Sequence, residues 1–296
     1  MSDVNTAPAI AAHNISKRID GRSLLSNISL QAQAGEIIGI LGKNGAGKTT
    51  LLETLLGFSR PTQGYCEIYG DRSLSLSAAT KARIGYVPQT DELINDLTGR
   101  QQLDFTASFY PRWNHELIQT LADRLEIPLL RPIAKLSGGE RQKLSTLLAL
   151  GHTPDLLVLD EPVASLDPIA RRTFLQQLLE IAQDGQRTVL LSSHIVSDLE
   201  RAASRIWILR DGALIWYGEQ DALKESVVRL HIRAARELPA TLAIPHTLSQ
   251  RINGQHASLV VRDWHAAQQN LLAQHLNAQV EIEQLTLEDI FMELHK

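Results

Sequence analysis

Ile38-Gly-Ile-Leu-Gly-Lys-Asn-Gly-Ala-Gly-Lys-Thr-Thr-Leu-Leu52 runs from an apolar strand through a glycine-rich turn into an amphipathic helix. Gly42, Gly47, Lys48 and Thr49 meet the spacing G-x-x-x-x-G-K-[ST]. Backbone freedom at the glycines lets successive N–H groups converge into a nest for phosphate oxygens. The helix beginning near Lys48 adds its positive end to the same spot. Lys48 supplies a cation for the β/γ-phosphates, and the Thr49 hydroxyl suits Mg²⁺. The nucleotide-contacting set expected here is Gly42, Asn44, Gly45, Ala46, Gly47, Lys48, Thr49 and Thr50.

Working outward, residues 1 to 8 read as an irregular start, and Ile10 to Leu30 as two strands joined by the hairpin signal Asp20-Gly21. The helix from Lys48 ends at Gly57, a fitting C′ residue, and residues 58 to 71 suggest a turn and a short strand. Ile84 to Val87 is a strand closed by Pro88-Gln89. Thr98 to about Arg131 is helical, with breaks at Pro111 and Pro128, and a further helix runs from Leu136-Ser-Gly-Gly-Glu140 to about Gly151. Leu156-Leu-Val-Leu159 and Thr188 to Ser192 read as buried strands, with a helix from about Ala170 to Gln183 between them. A short helix from about Ile195 to Ala203 precedes a hairpin over residues 205 to 217, turning at Asp211-Gly212. Strands alternating with helices imply an α/β fold with a parallel core sheet. The expectation is a P-loop NTPase core with a parallel sheet, an antiparallel β subdomain and an inserted helical lobe over about 98–152, all within residues 1–225. After Glu225 the pattern changes to short alternating segments and a helix near 264 to 276, read as a small C-terminal α+β appendage over 226–296. Thr286 and Asp289 fit an N-cap at its last helix.

Two further clusters carry chemistry. Asp160-Glu161 follows four consecutive apolar residues, so the pair belongs at the carboxyl end of a strand, facing the phosphate loop. An Asp there can hold Mg²⁺ through water, and a Glu there can polarise an attacking water. Leu136-Ser137-Gly138-Gly139-Glu140 opens a helix with a hydroxyl and two glycines, again an anion-receptive design. With two phosphate-binding helix starts in one chain, a two-fold dimer would let each close on its partner's other site.

The whole chain limits the classes. At 296 residues it can build one large and one smaller domain. A net charge of −4 with no long basic run argues against nucleic acid as the primary partner. No apolar stretch approaches the ~18–20 residues that cross a bilayer. The start of the chain, carrying Asp3, lacks the apolar run of a secretory signal, and Cys66 is the only cysteine. A cytoplasmic protein without direct membrane insertion is expected.

In this light the chain resembles the nucleotide-binding subunit of ABC transporters, whose ordered motifs can be read over residues 10 to 218. The resemblance implies ATP and Mg²⁺ as cofactors. It implies that Gln89 touches Mg²⁺ or water and senses a membrane subunit. Ser137, Gly138, Gly139 and Glu140 match the signature motif, which contacts the γ-phosphate held by the opposite protomer. Asp160 matches the Mg²⁺-associated acid beside Thr49 and Gln89, and Glu161 the catalytic base. Asp167, in Ser165-Leu-Asp, matches the loop that crosses the dimer interface, and His194 matches the switch histidine at the γ-phosphate. At the usual adenine-stacking position stands Ile19, and no Phe, Tyr or Trp lies between residues 1 and 57. Weaker base discrimination than usual is therefore expected. The C-terminal Leu-Thr-Leu-Glu-Asp-Ile-Phe-Met-Glu-Leu and Phe109-Tyr-Pro-Arg-Trp113 resemble bacterial export-type subunits, although packing within the lobe also accounts for the aromatics. The expected partners are a second copy in the ATP-bound state and integral membrane permease subunits, which would hold the chain at the inner face of the membrane. The other classes are a non-transport ABC ATPase of translation or repair and a P-loop GTPase. The latter's guanine-reading Asn-Lys-x-Asp is absent.

Overall fold

The computed structural model describes residues 7–182, 187–265 and 267–296. Residues 1–6 of the start expected over 1–8, the expected helix end at Gln183, and Ala266 within the helix expected near 264 to 276 lie outside these. The chain divides between Tyr217 and Gly218 into two compact units.

The first unit opens with β1 (Ile10–Ile19) and β2 (Arg22–Ala32), an antiparallel pair. Its turn has Asp20 and Gly21 at φ 48 and 80, the left-handed pair that a twisted hairpin needs. β3 (Ile37–Leu41) leads into α1 (Lys48–Leu56), after which come β4 (Gln63–Ile68) and the two-residue β5 (Asp71–Arg72). The antiparallel sheet has the order β2-β1-β4-β5. Gly57 ends α1 at φ 81, and a Cβ there would lie 2.0 Å from the Ser73 carbonyl oxygen, so only glycine lets the chain pass.

A short α2 (Ala78–Lys81) precedes β6 (Ile84–Val87). The helical lobe follows as α3 (Gly99–Ala107), α4 (His115–Arg124) and α5 (Gly138–Leu150). Thr98 and Gln101 form a complete capping box on α3, and Asn114 caps α4. Within the aromatic stretch, Trp113 lies on Gly151, where a Cβ would be 2.2 Å from its ring, and Tyr110 stacks on His152. Phe109 by contrast is 69% exposed.

The chain then alternates through β7 (Leu156–Asp160), α6 (Pro168–Ala182), β8 (Thr188–Ser193), α7 (Val196–Ala202), β9 (Arg205–Arg210) and β10 (Ala213–Glu219). These form a six-stranded sheet of order β10-β9-β3-β8-β7-β6, parallel from β9 to β6. α1 is enclosed by the apolar faces of both sheets. Leu51, Leu52 and Leu55 are fully buried in one cluster with Ile15 and Ile28 of β1 and β2 and with Ile40 and Trp207 of the parallel sheet. Each such leucine contributes roughly 1.5–3 kcal/mol of burial. The helix behind the glycine-rich loop is thus fixed from two sides.

The second unit contains α8 (Gln220–Ser226), β11 (Val227–Ala234), β12 (Thr247–Asn253), β13 (His256–Arg262), α9 (Ala267–Leu276), β14 (Ala278–Gln284) and α10 (Leu287–Leu294). Its antiparallel sheet has the order β12-β13-β11-β14 around a core of its own built on Leu230, Leu259 and Val280. Thr286 caps α10, its hydroxyl accepting from Asp289 N at 3.1 Å. β12 was not expected. As an edge strand its residues are uniformly half-buried or exposed, so no alternation marked it.

Candidate active site

In the parallel sheet β8 lies between β3 and β7. The carboxyl ends of these three strands bring together the glycine-rich loop, Asp160-Glu161 and Ser193-His194, as expected for a ligand site in an open α/β sheet.

Gly45 and Gly47 sit at φ 81 and 103. Gly47 is the N-cap of α1, and no side chain caps that helix. A Cβ on Gly47 would lie 2.9 Å from the Leu24 carbonyl oxygen. The loop is held by the β9–β10 turn, where Gly212 N donates to Ala46 O at 3.0 Å. The Gly212 carbonyl in turn accepts from Ser26 N of β2 at 2.9 Å. In the sequence Asp211-Gly212 signals only a hairpin. Its grip on the loop is a long-range backbone contact with no local signature.

Lys48 is 7% exposed, and its Nζ donates to Gly42 O at 2.8 Å and lies 3.1 Å from Glu161 Oε1. The other carboxylate oxygen, Oε2, accepts from His194 Nδ1 at 2.7 Å. A carboxylate only accepts, so the Nδ1 hydrogen is assigned to the ring. Glu161 is 4% exposed, whereas the His194 side chain is 42% exposed. Glu161 also has φ 50, a left-handed angle that costs a non-glycine residue on the order of 1 kcal/mol or more. Two neighbours hold it there: Glu161 N donates to Ser192 Oγ at 2.9 Å, and Gln142 Nε2 donates to Glu161 O at 2.9 Å. Ser192 Oγ passes its own hydrogen to Asp160 Oδ1 at 2.5 Å. Ser192 and Gln142 were missed in sequence because each acts across the fold. The pair Ser192-Ser193 before His194 was the only visible hint.

Asp160 is fully buried, and its Oδ2 has no hydrogen-bond partner. Thr49 Oγ1 stands 3.5 Å from Gln89 Oε1. A cavity of about 560 Å³ opens over this cluster, bounded by Asn44, Lys48, Thr50, Gln89, Glu161 and His194. Ile19, 49% exposed at the end of β1, does not line it; Ser23 and Leu24 of β2 do.

The remaining expected residues lie outside that cavity. Ser137 caps α5 in a complete box, with Glu140 N donating to Ser137 Oγ at 3.2 Å and Ser137 N donating to Glu140 Oε2 at 2.7 Å. This hydrogen bond from Ser137 N holds the Glu140 carboxyl below its ordinary value. Gly139 presses on the loop after β7, where a Cβ would sit 2.8 Å from Leu166 Cδ2. Asp167 Oδ1 caps α6, accepting from Ala170 N at 3.0 Å and Ile169 N at 2.9 Å. Those N–H groups, Ala170 foremost, hold its carboxyl low. One chain therefore assembles the glycine-rich loop with Gln89, Asp160, Glu161 and His194, and leaves Ser137 to Glu140 and Asp167 apart from them.

Residues 25–164 match the family model described as ABC transporter. The chain is 35% identical over 220 residues to Nod factor export ATP-binding protein I of Burkholderia lata, covering 73% of this chain and 72% of that one. Among solved structures, an ATP binding subunit of an ABC transporter superposes with a TM-score of 0.66 at 26% identity, over 73% of this chain and 92% of the other. The fold is shared with an ATP-binding cassette in a dimeric, post-hydrolysis state bound to ADP and Pi. That match has a TM-score of 0.63 at 23% identity, over 71% of this chain and 98% of the other. The buried Lys48–Glu161 pair with His194 on its open side, beside a glycine-rich loop, and the agreement over these relatives lead to one conclusion: the chain belongs to the ATP-binding subunits of ABC transporters, and it is an ATPase.

Proposed function

We propose that the protein powers export across a membrane, as two copies that close head-to-tail on two ATP molecules and drive separate permease subunits. The observation that carries this reading is Glu161, held by His194 on one oxygen and by Lys48 on the other, in a cavity to which the chain's own signature residues do not contribute. In this reading the first unit is the ATP-binding domain and the second an accessory domain. The phosphates of ATP draw Lys48 away from Gly42 O and Glu161 Oε1, and that oxygen becomes the free base. It takes a proton from water as the water oxygen bonds to the γ-phosphorus. The bond to the β-phosphate oxygen breaks, and ADP leaves with the electron pair. The Nδ1–H of His194 keeps the carboxylate aimed. Ser137, Gly138 and Gly139 of the second copy complete the γ-phosphate cradle, with Asp167 at the interface.

Thr49 Oγ1, Gln89 Oε1 and Asp160 Oδ2 fit a Mg²⁺ ion, because all are hard oxygen donors and Asp160 Oδ2 is buried without a partner. When bound, the ion supplies positive charge against the β- and γ-phosphates. Among the described residues no group of three or more His, Cys, Asp or Glu could hold a metal unaided, so phosphate and water oxygens would fill the shell.

Export is supported by the Burkholderia lata relative, a Nod factor export ATP-binding protein. No described helix is long and apolar enough to cross a membrane, which agrees with a subunit held at the cytoplasmic face by its permease. An apolar groove of about 600 Å³ beside the helical lobe, reaching from Phe58 and Leu74 to Tyr110, offers a surface for that partner. Co-purification of the tagged protein from native membranes tests the proposal. A polytopic membrane subunit should accompany it. Ribosomes, DNA or no partner, with ATPase activity intact, would move the function to the non-transport ABC ATPases.

A further inference from the structure

We infer that Arg141 is the positioning residue that couples the two halves of the nucleotide site, by locking the loop after Gln89 to the helix after Ser137. Arg141 lies in the first turns of α5, just beyond the signature residues, and makes three of its four guanidinium hydrogen bonds to one loop. Its Nε donates to Asp91 Oδ2 at 2.9 Å, and its Nη2 donates to Asp91 Oδ1. Its Nη1 donates to Asn95 Oδ1 at 2.8 Å and to Ile133 O at 3.2 Å. This planar, two-pronged grip on a carboxylate is one that a lysine cannot reproduce. Both side chains are mostly buried, at 20% and 24% exposure, which limits solvent screening. The guanidinium also holds the Asp91 carboxyl below the usual carboxylate range, so the pair stays charged at neutral pH.

The far end of the same loop is tied down too. Gln89 Oε1 accepts from Thr49 Oγ1 at the cavity, and only Thr90 separates Gln89 from Asp91. Two residues of chain extend at most about 7 Å, so the link has little slack. Ile133 N donates to Leu97 O at 2.8 Å and Ala134 N to Asn95 O at 3.2 Å, which keeps the rest of the loop on the lobe. A shift of α5 that brings Ser137 and Gly139 to a partner's phosphate must therefore move Asp91, and with it Gln89. Arg141 makes the occupancy of one site felt at the other.

This inference rests on the two-copy reading above. The test measures ATP turnover against ATP concentration for the full chain, for Arg141→Lys and for Asp91→Asn, with equilibrium ATP binding to each. The unaltered protein should show a sigmoidal curve with a Hill coefficient of about 2. In both variants the coefficient should fall to about 1 and kcat by about ten-fold, with KM and ATP affinity within about two-fold. Asp91→Asn lies in a loop, so agreement between the variants excludes damage to α5 as the cause. Glu161→Gln is followed alongside by light scattering with ATP. If it dimerises while Arg141→Lys and Asp91→Asn keep the sigmoid and kcat, the inference is overturned and the two-copy reading stands. If Glu161→Gln stays monomeric, both fall.

Discussion

Two helices of this protein begin with glycines at an anion-receptive end, and they are finished in opposite ways. α1 starts at Gly47 in a left-handed conformation, with no side chain on its first N–H groups and Lys48 as its opening residue. α5 starts at Ser137 with a complete capping box, so two of its donors are already satisfied and Glu140 places a negative charge in its first turn. The first end is left open and pre-charged to receive phosphate. The second is rigid by itself and keeps only the N–H groups of Gly138 and Gly139 free of the box. A bare end suits tight binding within one chain, and a self-capped end suits a surface that must hold its shape until a partner's ligand arrives.

The largest effect is expected on the open end. Lys48→Ala should lower ATP turnover about 100- to 1,000-fold and weaken ATP binding, measurable by steady-state kinetics and equilibrium dialysis. It should also destabilise the fold, because Glu161 loses the cation that faces it in a buried site. Ser192→Ala comes next. It strips partners from Asp160 Oδ1 and Glu161 N together, and the urea midpoint should report a loss of about 1–3 kcal/mol. At the capped end, Gly139→Ala drives a Cβ toward Leu166 Cδ2 and should cost about 1–3 kcal/mol in the same assay. Gly138→Ala, with its nearest atom at 3.5 Å, should be close to neutral for stability. Equal effects of the two glycine substitutions would remove the contrast between a packed and an open position.

The smallest effect concerns Glu140, whose carboxyl is held below its ordinary value of 4.5 by the Ser137 N–H. A lowered folded value means the carboxylate adds stability above pH 4.5, lost as pH falls through the folded value. Glu140→Gln keeps a box without that charge. Its thermal midpoint should trail the unaltered protein at neutral pH, and the gap should narrow below about pH 4.5.

The sequence made much of this legible where chemistry is compressed into a short stretch. The glycine-rich loop, the acids behind Leu156–Leu159, the signature serine and glycines, and His194 could each be assigned to a strand end or helix start from a few neighbours. What stayed hidden acts at a distance. Ser192 orders both acids, Gln142 reaches 19 residues along the chain to Glu161 O, and Arg141 grips Asp91 from 50 residues away. None of these has a local pattern, because the partner is chosen by the fold. The strand β12 was hidden for another reason: its exposed edge has no buried face to impose a period. The Asn253-Gly254 turn after it, with Gly254 at φ 59, was the signal to read.

Glu161 is the centre of the site, and the decisive measurement is the assembly state and turnover of Glu161→Gln with ATP and Mg²⁺, by light scattering and phosphate release. Loss of the base should leave ATP binding intact, trap a stable dimer and reduce hydrolysis about 100-fold or more. Rapid turnover by this variant would remove Glu161 from the chemistry, and a monomer at saturating ATP would contradict a site completed by a second copy.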